Sequence, residues 1–222
     1  MRIGTLGAGM MTEALAGRWA KAGHEVLIGG RSADKAKQLA VRIGASHGAG
    51  TLADAAEFGD AVLLAVRRQG LEVTLAEAGA PEGALGGKAV IDCGNAVDTA
   101  TFTQVTWNGK SLAEYAQHLA PGSHVVKAFN LCHAKVWQMT PPVFDGRPLA
   151  VPLAGDEEGK KPARQLIGDL GAQPLDAGDL AQARHLEAMG VLIVRLLFGG
   201  YDPYSVFAFV SPGRTGDPFT SR

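Results

Sequence analysis

Residues 2–35, RIGTLGAGMMTEALAGRWAKAGHEVLIGGRSADK, decide the fold. An apolar run, Ile3 to Leu6, leads into the turn Gly7-Ala8-Gly9. An Ala- and Leu-rich segment then extends to Ala22, and a second apolar run follows at Val26, Leu27 and Ile28. The pattern predicts strand, tight turn, helix and strand within one unit of about 30 residues, the context in which a Gly-x-Gly turn binds a dinucleotide. Gly7 lets the chain turn sharply, and Gly9, lacking a side chain, lets backbone amides approach a pyrophosphate at the positive end of the helix. The third glycine of the usual pattern is here Thr12, which is expected either to loosen helix–strand packing or to place a hydroxyl near the phosphates.

The tip of the second strand selects the dinucleotide. An NAD site places an Asp or Glu about 20 residues after the glycines to accept from the ribose hydroxyls. This chain carries Gly29-Gly30-Arg31-Ser32 there, with Lys35 one turn on. Arg31 can form paired hydrogen bonds with a 2′-phosphate, Ser32 can donate at a helix start, and Lys35 adds charge. NADP(H) is the expected cofactor. A merely solvated basic helix start is the weaker reading, because cations are unfavourable at that end of a helix dipole.

The chain has 222 residues with 21 basic and 22 acidic side chains. That length suffices for one sizeable core, or for a large domain with a small appendage. The balanced charge gives no argument for nucleic acid or an anionic membrane, so a small molecule or a second copy of the chain is the expected partner. The first residues are strand and turn rather than a signal peptide. The longest apolar segment, Met189 to Phe198, contains Arg195 and is too short to span a membrane, so a cytoplasmic protein is expected. Cys93 and Cys132 have neither metal-ligand spacing nor a disulfide framework and read as buried thiols.

Along the chain, helical periodicity covers Ala33 to Arg42, a short strand is predicted near Ala45 to His47, and Thr51 caps a helix through Glu57. Asp60 to Val66 reads as a buried parallel strand ending in Arg67-Arg68-Gln69. Ligands bind outside the carboxyl ends of parallel strands, so Arg67 and Arg68 point to an anionic second substrate or are ordinary solvated loop arginines. Gly70 to Gly79 reads as helix. The strand Lys88 to Asp92 ends in Asn95, which can hydrogen-bond the cofactor or serve turn chemistry. Residues 96–110 read as loop, and Ser111 with Glu114 has capping-box spacing at the start of a helix. A sixth strand, Ser123 to Asn130, is followed by a helix opening at His133; Asn130 can position a substrate, and His133 can supply a proton or cap that helix. Strand Leu149 to Ala154, a helix from Asp156 to Leu170, strand Gln173 to Asp176 and a mostly helical Leu180 to Phe198 complete the pattern. The stripe Met189, Leu192, Ile193, Leu196, Leu197 reads as core packing or a dimer surface. The tail after Pro212 is expected to be mobile.

Four stretches together resemble the family of NADP oxidoreductases that includes the NADPH-dependent reductases of the deazaflavin coenzyme F420. They are the residue 3–35 unit, DAVLLAV, VVKAFN at Val125 to Asn130, and LAGDEEGKKPARQLIGDLGAQPLDAGDLAQARHLEAM. The same stretches are similar to the reductase domain of the six-transmembrane metalloreductases. The resemblance implies an α/β fold: a Rossmann-like, doubly wound, mostly parallel sheet with a smaller C-terminal α/β part, a long terminal helix and often a homodimer. Residues 1–146 are expected to form the NADP-binding domain, with 147–222 completing the cleft. Carried over by position, Gly7, Gly9, Met10 and Met11 resemble the pyrophosphate loop and Arg31, Ser32 and Lys35 the 2′-phosphate site. Val66 and Arg67 resemble the segment against the ribose and nicotinamide, with Asn95 near the cofactor. Three departures stand out: Thr12 for glycine, Arg67-Arg68 for an apolar-proline segment, and Asn130 where deazaflavin reductases carry His. The last two fall on the acceptor side.

The leading expectation is hydride transfer between NADP(H) and F420 or another flavin-like ring, in a cleft bordered by Arg67, Arg68, Asn95 and Asn130. Such transfer needs proximity and orientation and so can proceed without a strong acid or base. An imine, enone or carbonyl reductase is the alternative, with His133 or Tyr201 as proton donor. A non-catalytic NADPH sensor is the third reading, since one scaffold serves many chemistries.

Overall fold

The structure, a computed structural model, describes residues 1–207. The expectation for the tail after Pro212 lies outside them. Strand β1 (Arg2–Leu6), helix α1 (Met10–Lys21), β2 (Glu25–Gly29) and α2 (Ala33–Ile43) form the opening unit as read from sequence. Then follow β3 (Ala49–Gly50), α3 (Leu52–Phe58), β4 (Ala61–Leu64), α4 (Leu71–Glu77) and β5 (Ala89–Asp92). A hairpin of β6 (Val97–Asp98) and β7 (Thr103–Gln104) leads to α5 (Leu112–Leu119) and β8 (His124–Lys127). The C-terminal part contains α6 (Ala134–Trp137), β9 (Val143–Phe144), β10 (Arg147–Pro148), β11 (Ala150–Leu153), α7 (Glu157–Gly168), β12 (Gln173–Asp176) and α8 (Ala183–Phe198).

Six parallel strands form one sheet in the order β3-β2-β1-β4-β5-β8, a Rossmann-like doubly wound sheet whose order reverses at β1. Strands β4 and β5 are buried at every position, which explains why they read as unbroken apolar runs. The parallel pair β11 and β12 adjoins the sheet edge, because Lys127 and Ala154 exchange backbone hydrogen bonds of 2.9 and 3.0 Å across an antiparallel bridge. One core runs through both parts: Trp19, Ile28 and Phe129 share it with Leu153, Leu166 and Ile167.

Three sequence expectations are corrected, and one hairpin is new. The strand placed near Ala45 to His47 falls at Ala49–Gly50, because Gly44 and Gly48 both take positive φ and turn the chain between them. The 96–110 loop contains the β6–β7 hairpin, closed where Ala100 N donates to Asp98 Oδ1 and Phe102 N to the Asp98 carbonyl. Its short polar strands carry no apolar alternation to betray them. The strand expected to reach Asn130 ends at Lys127, since Phe129 adopts φ of 64° and redirects the chain. The β9–β10 hairpin was not foreseen from sequence.

A buried ion cluster locks the last helix to the sheet. Lys127 Nζ lies 2.6 Å from Asp92 Oδ2 and 2.8 Å from Glu187 Oε1, and donates to the Gly94 carbonyl at 2.8 Å. The Glu187 carboxylate also accepts from Leu112 N at 2.8 Å and Ala113 N at 3.1 Å, the first amides of α5. Two carboxylates thus face one ammonium and the positive end of a helix, which supplies the remaining compensation. Burial pushes the Asp92 carboxyl up, with Glu187 adding to the shift and Lys127 opposing it. Burial alone would lower Lys127, but the two carboxylates outweigh it and hold its ammonium above the ordinary lysine value.

Removing one member of such a cluster leaves the others buried without compensation. Glu187→Ala should lower the unfolding free energy by about 3–5 kcal/mol in urea denaturation. A second ionic group at α7 reaches the surface from a buried lysine: Lys160 holds Asp176 at 2.9 Å and Arg164 holds Glu157 at 2.9 Å. Hydrogen bonding from Lys160 draws Asp176 down to about 2, and Arg164 does the same for Glu157, also to about 2. Folded values below the unfolded carboxylate value of about 4 mean stability present above that pH and lost as pH falls towards 2. The melting temperature of Asp176→Asn should therefore fall less steeply across that window than that of the parent chain.

Candidate cofactor cleft

The cleft begins at the turn after β1. Gly7 has φ of 123°, and a Cβ there would lie 2.4 Å from the Ala65 carbonyl oxygen, so only glycine lets this turn seat on the end of β4. Gly7 N donates to the Gly29 carbonyl at 2.9 Å, joining the ends of β1 and β2. Thr12 is fully buried, and its hydroxyl donates to the Gly7 carbonyl at 2.8 Å. The expected alternatives, looser packing or a hydroxyl offered to phosphate, therefore give way to a third arrangement: the hydroxyl is a strut inside the turn. Helix α1 starts at Gly9 without a side-chain cap, leaving its first amides as donors for an anion. Space beside Gly9 is open, and Met10 is 67% exposed.

A cavity of about 760 Å³ opens at the carboxyl ends of β1, β2 and β4. Gly7 and Ala8 line its floor, Ala65 and Val66 one wall, and Gly30, Arg31, Ser32 and Lys35 the end beyond β2. Leu52, Arg67, Gln69, Gly70 and Thr74 complete it. Among the described residues lining it there are three cations and no carboxylate. Arg31 and Lys35 are exposed and, among the described residues, neither has an ion-pair partner. Ser32 caps α2, its Oγ accepting from Lys35 N at 3.4 Å, which presents the helix start and both cations together. A glycine turn, uncapped helix amides and an acid-free basic end fit the pyrophosphate and 2′-phosphate of NADP(H).

Of the residues expected on the acceptor side, the structure brings only some together. Arg67 lines the same cavity as Arg31 and Lys35, whereas Arg68 opens a short 3₁₀ turn, is half-buried and does not line it. Asn95 and Asn130 meet at the carboxyl ends of β5 and β8: Asn95 Nδ2 donates to the Asn130 carbonyl at 2.8 Å, and Asn130 Nδ2 returns a bond to Asn95 Oδ1 at 2.9 Å. Asn130 Nδ2 also donates to the Leu186 carbonyl, and the residue is 4% exposed, so its NH2 group is committed to the crossing of α8 over the sheet, while its buried Oδ1 has no partner among the described residues. Gly190 permits that crossing, since a Cβ there would lie 2.1 Å from Asn95 Oδ1. His133 caps α6, its Nδ1 accepting from Lys135 N at 3.3 Å. Tyr201 is 60% exposed and lines a separate apolar cavity of about 160 Å³ with Ile193, Leu196 and Phe207. The sequence reading missed Thr74 and Gly70 in the cleft, and it missed the functional weight of Lys127 and Glu187. A lysine within a buried strand and a glutamate within an apolar helical stripe were the available signals.

Burial pushes both thiols up to about 12, with Asp92 adding to the effect at Cys93. Neither forms a disulfide, and at neutral pH neither supplies a thiolate. Iodoacetamide at neutral pH should label both at least about tenfold more slowly in the folded protein than in denaturant, followed by mass spectrometry.

Comparison with known proteins agrees with this geometry. The family model described as NADP oxidoreductase coenzyme F420-dependent matches residues 2–96. The F420-dependent NADP reductase of Methanothermobacter marburgensis is 31% identical over 216 residues, covering 88% of this chain and 92% of that protein. Metalloreductase STEAP3 of Rattus norvegicus is 29% identical over 189 residues, covering 85% of this chain; the chain spans only 36% of that relative. A crystal structure from Arthrobacter sp. FB24, of a protein named for the F420-dependent NADP reductases, superposes with a TM-score of 0.81 at 28% identity, covering 95% of this chain and all of the other. Among the described residues no helix is long and apolar enough to cross a membrane.

Proposed function

This chain belongs to the family of coenzyme F420-dependent NADP oxidoreductases, and on that premise we propose that it transfers hydride between NADP(H) and a deazaflavin of the F420 type. The observation that carries the reading is the acid-free basic end of the cleft, where Arg31, Ser32 and Lys35 stand together beyond β2. Bound there, NADPH supplies the hydride. The chain's own residues bind and orient: the Gly7–Gly9 turn and the first amides of α1 take the pyrophosphate, Arg31 and Lys35 the 2′-phosphate, and Val66 the wall beside the ribose. With both groups bound, hydride transfer would rest on proximity and orientation, and the proton the reduced deazaflavin takes up would come from water, which is consistent with Asn130, His133 and Tyr201 standing outside the main cavity.

We read the acceptor as lying beside the carboxyl ends of β5 and β8, next to the Asn95–Asn130 pair, with Arg67 at the cleft margin. Residues 1–146 are read as the cofactor part and 147–222 as the part that completes the cleft. We also read the protein as a cytoplasmic homodimer; the exposed Leu192 and Phe198 on α8 favour a second copy on that helix.

The test is NADPH oxidation, followed by nicotinamide absorbance, with F420, free flavins and a panel of cyclic imines and enones, and with NADH as the rival donor. Turnover with F420 and NADPH is expected. Turnover confined to an imine or enone would replace the acceptor class, and binding without any turnover would make the protein a sensor. Arg31→Ala should raise the KM for NADPH by about 10-fold or more and leave that for NADH within about 2-fold, because only the former carries the phosphate. An equal rise for both donors would overturn the placement of the 2′-phosphate.

A further inference from the structure

Thr74 is fully buried in the first turns of α4, lines the main cavity, and has no hydrogen-bond partner for its hydroxyl among the described residues. A threonine in a helix ordinarily returns its hydroxyl to the carbonyl four residues back, here that of Gly70, and Thr74 does not. Burying a hydroxyl unpaired is unfavourable, so such an atom just beneath the wall of a binding cavity, on a residue that lines it, calls for a partner from the ligand.

Its surroundings specify which part of the ligand. A Cβ built on Gly70 would lie 3.6 Å from Arg31 Nη2 and 3.9 Å from Thr74 Oγ1, so the guanidinium and the hydroxyl converge over the bare face of Gly70. Leu52 adds an apolar wall to the same cavity. If Arg31 holds the 2′-phosphate, the group attached to the neighbouring carbon of the same ribose is the base. A flat face over glycine, a guanidinium that can stack and one buried hydroxyl suit a planar heterocycle with a polar edge. We infer that Thr74 is a specificity-determining contact for the cofactor's adenine, its hydroxyl hydrogen-bonding the edge of the ring above Gly70. The inference rests on the placement of NADP(H) proposed above. Nothing in it involves the acceptor.

Calorimetric titration of the full chain with NADP⁺, with 2′,5′-ADP, which keeps the base and the 2′-phosphate, and with nicotinamide mononucleotide, which lacks the base, tests it on Thr74→Val and Thr74→Ser. Thr74→Val keeps the shape and removes the hydroxyl. It should weaken NADP⁺ and 2′,5′-ADP alike by about 3–10-fold and leave the mononucleotide unchanged, with Thr74→Ser within about 2-fold of the parent for all three. The melting temperature of ligand-free Thr74→Val should equal or exceed that of the parent, since an unpaired buried polar group has been removed, and its rise on adding 2′,5′-ADP should be smaller. A purely structural threonine would show the opposite, with lower ligand-free stability and unchanged affinity. Unchanged 2′,5′-ADP affinity in Thr74→Val overturns the inference alone. Failure of the parent chain to bind 2′,5′-ADP overturns the cofactor placement, and the inference with it.

Discussion

The contact on which the rest of the molecule depends is the buried meeting of Lys127 with Asp92 and Glu187. It joins the ends of two parallel strands to helix α8, and through Glu187 it also caps α5. Each charge would be costly alone in that setting. Together, with the amides of Leu112 and Ala113, they form a closed set that has one satisfactory geometry. The set lies at the carboxyl side of the sheet, where an open α/β fold binds its ligands. Helix α8 is thereby positioned over the Asn95–Asn130 pair, with Gly190 allowing the close approach.

The cleft has two kinds of construction. At its cofactor end the donors belong to short local units: a glycine turn, an uncapped helix start and the Arg31–Ser32–Lys35 segment at the head of α2. Arg31, Ser32 and Lys35 are exposed, and the cavity they line has no carboxylate among its described lining residues. Outside the cavity, at the ends of β5 and β8, the amides of Asn95 and Asn130 are turned onto one another. The contrast follows from chemistry. A phosphate must be met by donors that water can leave, whereas two side chains that fix a helix crossing bond within the protein.

The legibility of the sequence follows the same division. The β1–α1–β2 unit, the helix cap at Thr51, the capping box at Ser111, and the buried strands β4 and β5 were all readable, because propensity, periodicity and turn chemistry agree within a few residues. The β6–β7 and β9–β10 hairpins were not, since pairs of two-residue strands carry too short a pattern. Arg67 and Arg68 are adjacent in sequence yet differ in fate, because the 3₁₀ turn that begins at Arg68 sends the two side chains apart. His133 stood in the sequence as either a proton donor or a cap, and the structure places it at the head of α6.

By itself, then, the sequence determined the parallel α/β architecture and the preference for a 2′-phosphate. Both readings rest on residues within one turn of one another: Gly7 and Gly9 at a strand end, and Arg31, Ser32 and Lys35 at a helix start. Only the tertiary structure decided that Thr12 braces its own turn, that the NH2 group of Asn130 holds a helix crossing, and that Thr74 lines the cleft with its buried hydroxyl unpaired. It also decided the partners of Lys127, which are 35 and 60 residues away along the chain. Those outcomes depend on which groups meet once distant segments pack, and buried charges and amides are fixed by partners that no local pattern can name.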